Sequence, residues 1–535
     1  MPTIDDTSPS PRRRSRIILP LLVGLSLAVA CSPTVDTGDG EASADRSPTD
    51  VAATDMEPEF DEDPDCFGIE PADAQHIECG MVEVPLDHDA PDEATIELAV
   101  VIDGTAADTE GSEVPLLVLG GGPGEVLVEP YLTTPQLREV FAAGRTTIVI
   151  DQRGVGSSDP ALDCPEIPAL EVQESAAEDL HAALDALGAC RDRLADDGVD
   201  LGAYHHLANA RDVELVRRAL GHDQLNVRGT SYGTQVALLT GQMFPDAVRS
   251  VVLSSPVDPR ANWVDGVPAG FARSLDRLAA ACREVDACTE RVGDLGAAID
   301  QTVRRLDDQP EEVTVQPPGG ETTTVSYTPS RFLGGLFTFF YQAELTAMLP
   351  AVVDRARDGD LAPLANIVAI LEQQLEGGVT AGMQQSMLCT GEAGLADPER
   401  ALAEVDDPLI TEYWYPRTML GEPIGEFCAR WDVEQVYDPA EVTLDAEVPT
   451  LIVTGGLDHV TPPELGEQVH EALPVSHLVE VGWAVHAPLE ALSLPGPCGQ
   501  DIVTDFLNDP ESEPDADCAA DFTLQLGTPL PPGLG

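Results

Sequence analysis

Residues Leu225-Asn226-Val227-Arg228-Gly229-Thr230-Ser231-Tyr232-Gly233-Thr234-Gln235 pass from a short strand-like run through G-x-S-x-G into a helix-like segment that continues to Phe244. A serine between two glycines at such a junction reads as a nucleophile elbow. The glycines allow a sharp turn, which leaves the serine hydroxyl exposed at the strand end with a helix N-terminus beneath it. Ser231 is the expected nucleophile. The pentapeptide alone also fits an ordinary glycine-rich loop, so its partners decide between the two readings.

Serine acyl transfer needs a base for the hydroxyl proton, an acid to orient that base, and donors for the oxyanion. The run Leu451 to Val453 leads into Thr454-Gly455-Gly456-Leu457-Asp458, which makes Asp458 the candidate acid; its bland alternative is a turn-forming Asp beside glycines. His486 follows the last strand-like run, within Trp483-Ala484-Val485-His486, and completes the chain order Ser, Asp, His. His205, His206 and His222 precede the serine and fail that order, His477 starts a strand, and His459 adjoins the acid. Gly120-Gly121-Gly122-Pro123-Gly124 follows Leu116 to Leu119 and fits an oxyanion loop. Pro123 has no N–H, so Gly121 or Gly122 is the expected first donor and Tyr232 the second. No Lys-Ser or Lys-Thr pair follows these glycines, which argues against a phosphate cradle.

Continuous apolar runs at Leu116 to Leu119, Thr147 to Ile150, Leu225 to Val227, Val251 to Leu253, Leu451 to Val453 and Leu478 to Val481 alternate with helix-like segments. Strands buried on both faces and separated by helices predict an α/β fold with a mostly parallel sheet. Val82 to Val84 and Ile96 to Ile102 read as earlier strands. Between about 260 and 447 the pattern changes to amphipathic helices, such as Phe271 to Cys282 and Leu361 to Leu375, with a hairpin around Pro317-Pro318-Gly319-Gly320. The expected organisation is a core over 65–259 and 448–535, with a mainly helical cap inserted at 260–447.

The N-terminus has a different purpose. Arg12, Arg13, Arg14 and Arg16 precede an apolar run from Ile17 to Ala30, the layout of an export signal over residues 1–30. Leu27-Ala28-Val29-Ala30-Cys31 resembles a lipobox, in which Cys31 is acylated; ordinary cleavage near Ala30 is the alternative. Residues 31–64 are acidic and of low complexity, as in a solvated tether. Setting Cys31 apart from the 11 cysteines leaves an even number for an oxidising compartment. Sequence neighbours suggest the pairs Cys66–Cys79, Cys164–Cys190, Cys282–Cys288, Cys389–Cys428 and Cys498–Cys518. None shows zinc spacing, so no metal is expected.

The 535-residue chain carries 95 acidic and 28 basic residues, a formal charge of −67, and has no lysine. Such a surface repels nucleic-acid phosphates, so no DNA or RNA partner is expected. Charge of this density repels itself at low salt and is screened at high salt. Nothing in the composition fixes an oligomeric state.

Gly121-Gly122-Pro123-Gly124, Asp151-Gln152-Arg153-Gly154-Val155-Gly156-Ser157-Ser158, Gly229 to Gly233, Gly455 to Asp458 and His486 together resemble the α/β-hydrolase peptidases related to prolyl iminopeptidase. The C-terminal part, through Cys498 and Cys518, is similar to their exported tripeptidyl aminopeptidase branch. Gly120 and Glu125 depart from the pattern, which has His and Gly there. The resemblance implies an α/β-hydrolase fold and a peptide substrate with a free N-terminus, cleaved through an acyl-enzyme without a cofactor. It also implies a cap carboxylate for the substrate amine; Glu392, soon after Cys389, is the candidate, with a solvated loop acid as the equal alternative. Asp151 and Arg153 are expected to brace the oxyanion loop. A carboxylesterase on the same triad, or a non-catalytic surface-binding protein, are the other readings.

Overall fold

A computed structural model of the chain describes residues 56–72, 75–104, 114–167, 180–316, 322–375, 377–493 and 496–530. The expected signal, Cys31, most of the tether and the hairpin turn lie outside the described residues.

Eleven strands form among the described residues: β1 Phe60–Glu62, β2 Ile77–Pro85, β3 Thr95–Asp103, β4 Leu116–Leu119, β5 Thr147–Ile150, β6 Leu225–Thr230, β7 Val248–Ser254, β8 Glu311–Val315, β9 Thr323–Tyr327, β10 Thr450–Gly455 and β11 Ser476–Val481. Nine of them make one sheet in the order β1-β2-β3-β5-β4-β6-β7-β10-β11. Pairing is antiparallel from β1 to β5 and parallel from β5 to β11. All six predicted apolar runs lie in this parallel part. The reason is burial on both faces: Leu117, Ile148, Val227 and Ile452 pack into one hydrophobic cluster, while their neighbours Val118, Val149 and Leu451 pack into another.

Strand order reverses around β4, which lies between β5 and β6. At such a switch point the loops leaving the carboxyl ends diverge to opposite sides and open a crevice. Leu119 at the end of β4 registers with Gly229 of β6, so the glycine loop emerges beside the serine elbow.

Between β7 and β10 the chain forms helices and the separate β8–β9 hairpin. Their core holds Phe271, Phe332, Phe339 and Trp414, together with Leu457, Val460 and Val485 from the loops around Asp458 and His486. Ordered structure begins earlier than the tether reading places it, since β1 pairs with β2 through Phe60 to Glu62. Strand pairing and Phe60 override the acidic composition there. All five suggested cysteine pairs are disulfides in the structure. Among the described residues no helix is long and apolar enough to cross a membrane.

Candidate active site

Ser231 stands between β6 and the helix Tyr232–Met243, with φ 54° and ψ −126°. This positive φ is strained for serine and places it at the apex of the turn. Both flanking glycines are dictated by contact. A Cβ on Gly229 would lie 2.3 Å from Gly233 O, and one on Gly233 would lie 2.6 Å from Leu119 O and Gly120 O. Tyr232 opens the helix, whose first-turn N–H groups have no intrahelical acceptor.

Asp458 and His486 come together across the ends of β10 and β11. His486 Nδ1 lies 3.0 and 2.9 Å from the two Asp458 carboxylate oxygens. Asp458 is wholly buried and also accepts from the Ser255 hydroxyl (2.6 Å), the Thr461 hydroxyl (2.8 Å), and the N–H groups of Val460 and Thr461. Burial alone would raise its pKa, but the His486 charge and hydrogen bond, with His459 and Ser255, hold the carboxyl well below its ordinary range. For His486, burial works to depress the imidazole. The Asp458 charge and hydrogen bond outweigh it and raise the pKa above 6.5. An acid that stays ionised and an imidazole of raised basicity are what a serine general base requires.

Among the described residues no hydrogen bond joins Ser231 Oγ to His486 Nε2 in this state. The two are linked through Glu490, which accepts from the Thr230 hydroxyl (2.8 Å), the Ser254 hydroxyl (2.6 Å) and Arg228 (2.7 Å). Ser254 O accepts the Ser231 N–H at 2.9 Å. Glu490 therefore clamps the elbow to the loop that carries His486.

The glycine loop lies against the elbow: a Cβ on Gly121 would stand 3.2 Å from the Ser231 Cβ. Gly122 takes a positive φ of 97° and is exposed. Gln152 Nε2 donates to Gly120 O at 3.1 Å, and Asp151 accepts the N–H groups of Leu127, Val128 and Ser157. Gln152 thus braces the loop itself, while Asp151 holds the segment just beyond it, without Arg153. Arg153 instead makes a bidentate pair with Asp212 at 2.7 Å through both nitrogens, and bonds the carbonyls of Pro85, Leu86 and Ala203.

Glu392 is 0% exposed, its Oε2 lying 3.1 Å from His206 Nε2 and its Oε1 accepting from Gln235 Nε2 at 2.5 Å. His206 stacks on Tyr437 with ring centroids 4.5 Å apart. Burial works against ionisation of Glu392, yet His206 and Gln235 lower its pKa. In this conformation Glu392 is a buried network carboxylate, closed to a substrate amine. His459 is also fully buried, edge-on to Phe337 and Tyr341 at 4.2 and 4.7 Å, and burial pushes its pKa down to about 3. Tyr341 in turn meets His486 edge-on at 5.4 Å. Cys164, Glu166 and Cys190 cluster like metal ligands, but the two cysteines are bonded to each other.

Sequence reading missed Ser255, Thr461, Arg228 and Glu490. The signal for Ser255 was its place just past β7, two residues beyond the apolar run that ends at Leu253.

Residues 114–291 match the family model for the α/β hydrolase fold, and residues 417–518 match that for TAP-like proteins. The chain is 26% identical over 417 residues to serine protease Hip1 of Mycobacterium tuberculosis, covering 72% of this chain and 77% of that one. It is 31% identical over 198 residues to tripeptidyl aminopeptidase of Streptomyces lividans, covering 34% and 36%. It is 26% identical over 419 residues to carboxylesterase B of Mycobacterium tuberculosis, covering 75% and 79%. With the elbow and the parallel sheet already in place, these matches show an α/β-hydrolase fold with a TAP-like C-terminal segment and a similarity to serine peptidases.

Proposed function

We propose that this hydrolase is an exported serine aminopeptidase that acts on peptides with a free N-terminus. The observation that carries it is the buried Asp458–His486 pair beside the strained Ser231 elbow. Similarity to Hip1 and to tripeptidyl aminopeptidase supports a peptide substrate.

His486 Nε2 takes the Ser231 hydroxyl proton as Oγ bonds the scissile carbonyl carbon, and Asp458 stabilises the imidazolium formed. The oxyanion is met by the N–H of Tyr232 and that of Gly121 or Gly122; one such donor is typically worth about 2.7–4 kcal/mol at the transition state. Collapse breaks the C–N bond, and His486 returns its proton to the leaving amine. Water, deprotonated by His486, then attacks the acyl-enzyme and releases the acid product and Ser231. No cofactor enters these steps. Export with acylation of Cys31 would tether the enzyme to a membrane, and incorporation of a clickable fatty acid, lost in Cys31→Ser, tests that part.

The deciding experiment is chromophore release from amides of one to three residues, with free and blocked N-termini, against a Ser231→Ala control. Free-amine-only turnover that vanishes in the control supports the aminopeptidase. The second reading, a carboxylesterase, is favoured by the similarity to carboxylesterase B along three-quarters of the chain. Ester cleavage with inert amides would select it.

A further inference from the structure

Glu125 folds back onto the candidate oxyanion donor. Its Oε2 accepts the Gly121 N–H at 2.5 Å, and its own N–H bonds Gly121 O at 3.3 Å. A Cβ on Gly121 would lie 3.3 Å from that oxygen and 3.2 Å from the Ser231 Cβ, so the carboxylate lies beside the nucleophile. The backbone around it is pinned to the segment between β7 and β10. Thr380 N–H bonds Gly124 O at 2.8 Å, and Val126 N–H bonds Gly378 O at 2.9 Å.

The other acids at this end of the sheet are compensated. Asp458 has His486, Glu490 has Arg228, and Asp151 has three backbone N–H groups. Among the ion pairs of the described residues, none includes Glu125. Burial pushes its carboxyl pKa up, opposed by the Gly121 N–H, while Glu490 and Asp151 push it further up and His486 draws it down. A half-buried acid so placed favours its neutral form until a cation comes to pair with it.

We propose that Glu125 is the specificity determinant for the substrate's N-terminus: the scissile carbonyl oxygen displaces it from the Gly121 N–H, and it then holds the α-ammonium of the same residue. This rests on the free-amine reading above and deepens it to release of single residues. Within an α-amino acyl group the nitrogen lies roughly 3 Å from the carbonyl oxygen by standard bond lengths, a distance a glutamate covers by changing rotamer. Each further residue carries an extended amine roughly 3.3–3.6 Å farther away. A blocked N-terminus brings no cation to the displaced acid, whose ionised form is then penalised by burial and by the growing oxyanion, so the wrong substrate gains nothing from it.

The test uses the full chain and Glu125→Ala on p-nitroanilides and p-nitrophenyl esters of one amino acid, each with a free and an acetylated amine, plus a free tri-residue anilide. The expected result is a wild-type preference for free amines and for the single-residue anilide. In Glu125→Ala, kcat/KM should fall at least tenfold on the free-amine substrates and rise on the acetylated ones. Fluorophosphonate labelling of Ser231 reports an intact elbow; if the alanine variant fails to label, Glu125→Gln, which removes only the charge, is read instead. An unchanged free-to-acetylated ratio in a labelled variant overturns the proposal, as does faster wild-type turnover of the tri-residue anilide. The ester pair separates the two failures, because inert anilides alone sink the peptidase reading while the esters still report on Glu125.

Discussion

The Ser255 hydroxyl donates to Asp458 Oδ2 at 2.6 Å and accepts the Ala487 N–H at 2.9 Å, tying the acid to the residue that follows His486. Ser255 comes directly after β7 and takes a positive φ of 57°, so the contact is held by backbone geometry as well as by rotamer. A hydrogen bond to a charged group contributes about 1.5–3 kcal/mol. Ser255→Ala should therefore lower kcat by roughly ten- to a hundredfold with little change in KM, because it loosens the orientation of His486 without touching substrate. Steady-state kinetics decide it, and a variant with wild-type kcat would show the contact to be structural only.

The raised His486 pKa sets the acid limb of activity. Only the neutral imidazole accepts the Ser231 proton, so kcat/KM should climb as pH rises through a value above 6.5 and be small below it. In Asp458→Asn the charge that raises the imidazole is gone while burial remains, so the limb moves to lower pH even as kcat drops, by about 10⁴ in comparable triads. A pH–rate profile of wild type and variant checks both the sign and the drop.

Gly229 and Gly233 make a sharper prediction than the serine between them. A methyl on Gly229 would enter at 2.3 Å from Gly233 O, where backbone cannot yield without opening the elbow. Gly229→Ala and Gly233→Ala should each abolish fluorophosphonate labelling and lower the melting temperature. By contrast Ser231→Ala keeps the Cβ, and with it the strained backbone, and loses only the hydroxyl, so it should melt close to wild type. A labelled, active Gly229→Ala protein would contradict the elbow geometry.

The central parallel strands were legible because β4, β5 and β10, buried on both faces, appear as nearly continuous apolar runs; β1, one aromatic and two acidic residues, carries no such signature. Ser231, Asp458 and His486 were legible as an order along the chain. What supports them was not. Arg228 and Glu490 lie 262 positions apart, and nothing in either neighbourhood names the other. Asp151 and Arg153 read as one bracing pair, yet β5 ends at Ile150 and the chain turns at Arg153, so the shared side of an i, i+2 pair is lost and each found separate partners. Glu125 could be seen as a departure from glycine, but its return to Gly121 N–H depends on a side-chain torsion that sequence does not encode.

The disulfide Cys389–Cys428 joins the helix Ala381–Thr390 to the helix Ile424–Trp431, and Trp431 Nε1 adds a bond to Ser386 Oγ at 3.0 Å. Thr380, at the start of the first helix, bonds Gly124 of the oxyanion loop. The bridge therefore restrains the segment that holds that loop in place. Closing a loop with a sequence separation of 39 contributes about 4 kcal/mol through the unfolded chain alone. Replacing both cysteines by serine should cost up to that amount in denaturant unfolding and should also reduce kcat/KM, since the loop loses its tether. A bridge on the far side of the sheet supplies the control: the Cys66–Cys79 pair, at β2 with β3, β5 and β4 between it and β6, closes a separation of 13 and should cost less stability and leave kcat/KM nearly unchanged. Equal kinetic losses from both pairs would mean that global loosening, and not the Thr380–Gly124 connection, governs the site.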